Sequence, residues 1–205
     1  MGMRPEASKG TQSLLEQALN VIKPTALIGM SAQAGSFTKS ICGKMATLNE
    51  RPIIFALSNP TSKAECSAVD AYSWTKGNAI FASGSPFDNV TLDGKVFVPG
   101  QCNNAYIFPA IGLAARVTGA SKITNEDFYT AAVTLSKMVS TEQLQQDGCL
   151  FPSFARIRQV SLELAAAVAR GIVTSKRGVV ATPSQGDSAG RDILDTCRAA
   201  MYDPE

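Results

Sequence analysis

Three short apolar runs punctuate the first half of the chain, at residues 25–31, 52–59 and 79–85, and each ends in small polar residues. Within each run the apolar positions are continuous rather than alternating. That pattern predicts strands covered on both faces, as in a parallel sheet. The segments between the runs carry helical spacing instead. Leu14, Leu15, Ala18, Leu19 and Ile22 make one apolar face, Phe37, Ile41, Met45 and Leu48 make a second, and residues 64–74 make a third. The resulting order (helix, strand, helix, strand, helix, strand) predicts an α/β domain with right-handed crossovers. Local punctuation agrees. Pro24 closes the first helix, Pro52 marks the start of the second strand, and Thr61 and Ser62, with Glu65 behind them, predict the cap of the third helix. Asp93-Gly94 between two short apolar stretches predicts a small hairpin.

Beyond Asn104 the texture changes. Residues 105–117 predict a buried helix, and residues 125–139 and 153–172 predict amphipathic ones, the last with Ile157, Val160, Leu164 and Val168 as its stripe. Residues 174–190 are polar and rich in Ser, Gly and Pro, which predicts a surface loop, and residues 189–202 have the pattern of a last helix.

The chain has 205 residues, 45% of them hydrophobic and 18% charged, enough for a domain with a sizeable core. Its formal net charge of +2 gives no basic or acidic surface that would call for nucleic acid or an anionic membrane as partner. No apolar run approaches the ~20 residues needed to span a bilayer. Five cysteines without CxxC or metal-ligand spacing predict scattered reduced thiols and a cytoplasmic setting. Residues 1–10, with Arg4 and Lys9 but no apolar core, are not a secretory signal, and a mitochondrial or other organellar address stays open. Histidine is absent altogether. That excludes Ser/His and Cys/His dyads, His-ligated zinc and a His general base within this chain.

In an open parallel sheet the ligand crevice lies beyond the carboxyl ends of the strands. The candidate corners are therefore Gly29-Met30-Ser31, Leu57-Ser58-Asn59-Pro60-Thr61 and Ala82-Ser83-Gly84-Ser85-Pro86-Phe87. Their amides and hydroxyls suit a carboxamide, ribose hydroxyls or a carboxylate, because they offer donors and acceptors at little desolvation cost. Gly29 and Gly84 would let a flat ring come close to the backbone. Any one such corner is ordinary turn chemistry. Asn103-Asn104 adds weight to the set. One amide suffices to cap the helix that follows, and the second is then left to face a ligand.

Three stretches in order resemble the successive signatures of malic enzymes: Asn49-Glu50-Arg51-Pro52-Ile53-Ile54-Phe55-Ala56-Leu57-Ser58-Asn59-Pro60-Thr61, then Phe81-Ala82-Ser83-Gly84-Ser85-Pro86-Phe87, then Pro99-Gly100-Gln101-Cys102-Asn103-Asn104-Ala105-Tyr106-Ile107-Phe108-Pro109. The resemblance runs from about Leu14 to about Ile172. It implies an α/β fold that is the second half of a Rossmann-like doubly wound parallel sheet with helices on both faces, followed by C-terminal helices. Residues 11–173 are then a partial NAD(P)-binding domain and 174–205 a polar loop with a helical tail. It also implies that Asn59 meets both malate and the nicotinamide, that Asn103 is a malate-binding amide, and that Asn104, Gly29, Met30, Ser31 and Ser83 border the cofactor.

Family members oxidise malate with NAD or NADP, decarboxylate the product to pyruvate, and use Mg2+ or Mn2+. Their catalytic base, acid and metal ligands are expected upstream, so none is assigned here. The residue that chooses between NAD and NADP is expected upstream too. The chain thus reads as one part of an enzyme that needs its N-terminal half and forms a homo-oligomer when complete. Cys102 departs from the family's usual Gly, Gln33-Ala34-Gly35-Ser36 is a loose version of its Gly-rich turn, and the tail beyond Val173 matches poorly. Two other readings stay open: a non-catalytic interaction module, and a half-domain of another hydroxy-acid or amino-acid dehydrogenase.

Overall fold

The computed structural model describes residues 12–179 and 192–202. The stretch weighed as a presequence, residues 1–10, lies outside the described residues, as does most of the polar segment 174–190. Two compact units divide the chain, Met1–Gln101 and Cys102–Glu205.

The first unit runs α1 (Leu14–Ile22), β1 (Ala26–Gly29), α2 (Lys39–Leu48), β2 (Ile53–Ala56), α3 (Ala68–Trp74), β3 (Ile80–Ser83), β4 (Val90–Leu92), β5 (Lys95–Phe97) and β6 (Gly100–Gln101). Strands β1, β2, β3 and β6 lie side by side in that order, all parallel, and β4 and β5 form a separate antiparallel hairpin. This is a Rossmann-like α/β arrangement. The three longer parallel strands fall inside the apolar runs. β6 was not predicted, since two residues are too few to show a period.

Capping explains the helix limits. Ser13 and Glu16 make a reciprocal capping box at the start of α1, and Lys23 ends that helix in a left-handed conformation just before Pro24. Thr38 caps α2. The predicted cap of α3 needs correction. Residues Thr61–Lys63 form an isolated 3-10 turn without a side-chain cap, and Ser67 caps α3 by accepting from the Asp70 N–H at 3.0 Å. The reason is Glu65, whose side chain turns inward and is completely buried. Ala64 is extended, so the helix starts only beyond that point.

Leu27, Ile54 and Phe81 are register partners across the sheet and share one core with Leu19, Ile41, Met45 and Tyr72 of the helices. The hairpin turns through Asp93 (φ 51°) and Gly94 (φ 79°), as a type I′ turn requires. It brings Phe97 to stack on Tyr72 at 4.6 Å, while Phe81 meets Tyr72 edge-on at 5.8 Å. β1 departs from the expected two-sided cover. Ile28 is 56% exposed, because β1 is the sheet edge and pairs only with β2 among the described residues. Leu14, Val21, Ile22 and Met30 are exposed as well.

The second unit contains α4 (Phe108–Thr118), α5 (Asn125–Ser136), α6 (Thr141–Asp147), α7 (Ile157–Thr174) and α8 (Ile193–Ala200). Helix α7 is its spine and packs against α4, α5 and α8. Its predicted stripe is sound: Val160, Leu164 and Val168 are fully buried and Ile157 partly so. Helix α6 was missed because it lacks an apolar stripe. Ser140 caps it, and Gly148 closes it with positive φ. Asp127 closes a capping box with Thr124 at the start of α5 and lies almost wholly buried. The Arg177 guanidinium, just past α7, grips both its oxygens at 2.7 Å. No helix among the described residues is long and apolar enough to cross a membrane.

An apolar strand edge invites pairing with a second copy. The 205-residue chain on its own is expected to self-associate as its concentration rises, and Ile28→Lys to reduce this. A concentration-independent monomer of the parent chain in sedimentation velocity would contradict it. A second expectation concerns acid. Arg177 holds the Asp127 carboxyl below its ordinary range. The pair therefore stabilises the second unit above the unfolded carboxylate value, and that stability is lost as pH falls through the lower folded value. Asp127→Asn should lower the thermal midpoint near neutral pH and flatten the acid limb, as read by circular dichroism melts across pH.

Candidate functional site

The register aligns Gly29 with Ala56 and Ala56 with Ser83, so β1, β2 and β3 end at one level. The ladder continues one step further, with the Leu57 N–H donating to Gly29 O at 2.9 Å and the Gly84 N–H to Ala56 O at 3.1 Å. Gly29, Met30, Ser31, Asn59 and Ser83 thereby share one rim of the first unit, as the strand-end rule requires. Their side chains differ in availability. Met30, Ser31 and Asn59 are exposed, whereas Ser83 is buried and donates its hydroxyl to Ser85 O at 2.7 Å.

Asn59 follows β2 and precedes Pro60 through a cis peptide. The Ser85 hydroxyl donates to Asn59 Oδ1. That bond occupies one acceptor site of the amide oxygen and fixes which way the amide faces, with its Nδ2 lying over Gly84. The glycines carry a different meaning from the expected one. A Cβ on Gly84 would stand 2.2 Å from Leu57 O and 2.9 Å from Asn59 Nδ2. One on Gly29 would stand 2.5 Å from Glu65 Cδ and 2.7 Å from the Phe37 ring. In both places the room that glycine leaves is filled by the chain's own atoms rather than kept for a ligand ring.

Under the rim sits Glu65, which sequence reasoning took for part of a helix cap. Its Oε1 accepts from the Ser31 N–H at 3.2 Å and from the Ser58 hydroxyl, and its Oε2 accepts from the Ser58 N–H at 3.4 Å. Ser58 Oγ accepts in turn from the Ala32 N–H at 2.8 Å. The backbone of this segment is held too, by bonds from the Phe37 N–H to Glu65 O and from the Gly35 N–H to Ala64 O. The loose turn 33–36 is thus pinned through its own amides. A lone Glu within a polar stretch gives no sequence signal of burial. The tight fit at Gly29 is visible only in three dimensions.

Asn103 and Asn104 open the second unit. Asn103 is half-buried, and its Oδ1 accepts from the Ala105 N–H at 2.9 Å, so it is the capping amide of the pair. Asn104 is exposed and starts a 3-10 turn, Asn104–Tyr106, that leads into α4. Tyr106 anchors this turn. Its hydroxyl donates to Pro152 O at 2.6 Å, and its ring stacks on Phe151 and meets Phe154 edge-on. Burial first, then nearby Cys149 and Cys102, push the Tyr106 hydroxyl up to about 12. Its contacts make it a strut for the turn. Cys102 is half-buried, and burial raises its thiol pKa.

No group of three or more His, Cys, Asp or Glu side chains that could hold a metal occurs among the described residues. The residues present do not fit the Mg2+ or Mn2+ that the resemblance implies.

Comparison with known proteins gives consistent results. A family model described as malic enzyme, NAD binding domain, matches residues 3–173. NADP-dependent malic enzyme 3 of Arabidopsis thaliana is 47% identical over 187 residues, covering 91% of this chain and 31% of that protein. The NADP-dependent malic enzyme of Rattus norvegicus is 51% identical over 167 residues, covering 81% of this chain and 29% of that one. The chain thus spans about a third of the length of these relatives. Among solved structures, the malic enzyme of Entamoeba histolytica superposes with a TM-score of 0.66 at 21% identity, over 95% of this chain and 34% of that one. The malic enzyme from Pyrococcus horikoshii gives 0.63 at 22% identity, over 90% of this chain and 36% of that one. At those identities the two structures bear on the fold alone.

The packing at the rim yields a direct test. Gly84→Ala places a methyl against a backbone carbonyl that cannot swing away. It should cost the first unit about 1–3 kcal/mol, measured by urea unfolding, and a variant as stable as the parent would refute this packing.

Proposed function

Because the chain belongs to the malic enzymes and carries part of their NAD-binding domain, we propose that it supplies the amides that receive malate and the nicotinamide end of NADP in the complete enzyme. That enzyme oxidises (S)-malate to pyruvate and carbon dioxide while reducing the cofactor. The observation that carries the proposal is Asn59, exposed at the shared strand ends with its amide oriented by Ser85. An NH2 group fixed as donor suits a substrate carboxylate or a carboxamide oxygen, and a fixed donor costs no reorganisation when the ligand arrives. In the second unit, taken by itself, Asn103 is the proposed malate amide, with its oxygen engaged in capping the turn, and Asn104 the proposed neighbour of the cofactor. Met30 and Ser31 border the cofactor from the end of β1, while Gly29 and Ser83 shape the rim behind them.

NADP is favoured over NAD because the curated relatives named above are NADP-dependent. The base, the acid and the ligands of Mg2+ or Mn2+ belong to the upstream part of the enzyme, so no proton transfer or metal step is assigned to this chain. Its partners in this proposal are that upstream part and further copies of the complete enzyme in a homo-oligomer. No disulfide joins the cysteines among the described residues, and a cytoplasmic setting is part of the proposal. Membership of the malic enzymes displaces the reading as a half-domain of another dehydrogenase.

The decisive experiment is a chimaera in which residues 12–173 replace the matched stretch of the rat enzyme, assayed for malate-dependent NADP reduction with Mg2+. The chimaera should turn over, and Asn59→Ala should lower kcat/KM for malate by about 100-fold, the usual effect of removing one oriented donor. Asn103→Ala should act mainly on malate rather than on NADP. Activity unchanged by Asn59→Ala would refute the assignment. An inactive chimaera that still folds and binds NADP would favour a non-catalytic module.

A further inference from the structure

Resting on the functional reading above, we infer that Glu65 is a positioning residue for Asn59, acting through Ser58 and through the turn that follows β1. Its carboxyl group is fully buried and makes no ion pair among the described residues. Burial of such a group is costly unless its lone pairs are filled. Among the described residues the donors come from two different strand ends. Ser31, just past β1, offers its N–H, and Ser58, just past β2, offers both its N–H and its hydroxyl. The Ser58 oxygen then collects the Ala32 N–H. One side chain thus gathers the amides of both corners into a single inward-facing network, and Asn59 is covalently the next residue after Ser58.

Two consequences deepen the functional reading. The amides of Ser31, Ala32 and Ser58 face inward, so they are withdrawn from the backbone cradle that a diphosphate needs. This rim therefore suits the nicotinamide, its ribose and a substrate carboxylate, not the phosphates. The network also sets where Asn59 begins. With Ser85 fixing the far end of its amide, Asn59 is located from both sides. An apolar residue of equal size would fill the space beneath Gly29 without ordering either corner, so the carboxyl group is retained for its acceptors rather than for its bulk.

Glutamine separates these roles. In Glu65→Gln one carboxamide oxygen still accepts from Ser31 and the Ser58 hydroxyl, but the NH2 group then confronts the Ser58 N–H, donor against donor. The β1 side survives and the Ser58–Asn59 side is released. The test is a two-dimensional 1H–15N NMR titration of the full chain with NADP+ in the presence of malate, following the side-chain amide of Asn59.

In the parent the Asn59 signal should move on titration. In Glu65→Gln, with signal dispersion preserved, the apparent affinity at Asn59 should fall by about tenfold, while the Ser31 amide keeps its parental protection from solvent exchange. Ser58→Ala cuts the same network at its centre and should give the same loss, and it carries the test if Glu65→Gln does not fold. Folded variants that match the parent at Asn59 would overturn the inference and leave the functional reading intact. Absence of any response in the parent would overturn both.

Discussion

A carboxyl group without a counter-ion among the described residues, sealed beneath two strand ends, is the constraint around which the first unit is arranged. Glu65 needs three donors, and the ends of β1 and β2 provide them. To reach them the chain must stay extended after the 3-10 turn, which delays α3 until Ser67. To make room for the carboxyl group, residue 29 must lack a side chain. The position of a helix, the identity of a glycine and the conformation of two corners follow from one buried group. The aligned strand ends would exist without it, but their polar residues would be free to wander.

The second unit is built on different physics. Its core is a helix-on-helix assembly around α7, with Leu164, Val168 and Ile172 fully buried. Its polar ties sit at helix ends, where unpaired backbone groups need partners. Asp127 shows the economy of this. The same carboxylate caps α5 and accepts the fork of Arg177, which follows α7. Asn103 and Tyr106 do comparable service at the approach to α4, one by capping and the other by reaching Pro152. Each unit therefore has an interior of its own.

Much of this was legible in the residue pattern. The continuous apolar runs located β1, β2 and β3, Pro24 and Pro52 marked the starts of β1 and β2, and Asp93-Gly94 marked the turn between β4 and β5, because proline and glycine act through local backbone geometry that needs no tertiary context. The strand-end rule then found the rim that holds Ser31 and Asn59. What escaped was set by partners distant in sequence. β6 exists through its pairing with β3, and Glu65 is buried only because Ser31 and Ser58 come to meet it. The continuous run at 25–31 predicts cover on both faces, whereas the resemblance makes this strand an unprotected sheet edge, and Ile28 is exposed there. The residue pattern left open which amide of Asn103-Asn104 caps the turn, and Asn103 is the one that does, while the Ser85 hydroxyl engages the oxygen of Asn59.

The even spacing of the register partners Ala26, Ile53 and Ile80 has a kinetic meaning. Each parallel pairing must close a loop of the same length, so neither is favoured by chain entropy over the other. The β4–β5 hairpin and the helices of the second unit form through near neighbours and can be complete much sooner. Parallel pairing of β1, β2 and β3 closes longer loops than the β4–β5 hairpin does, so on chain entropy it is expected to follow the hairpin. Until the network around Glu65 closes, Ile54 and Phe81 stay accessible, and that interval is when a chaperone would find the most to hold.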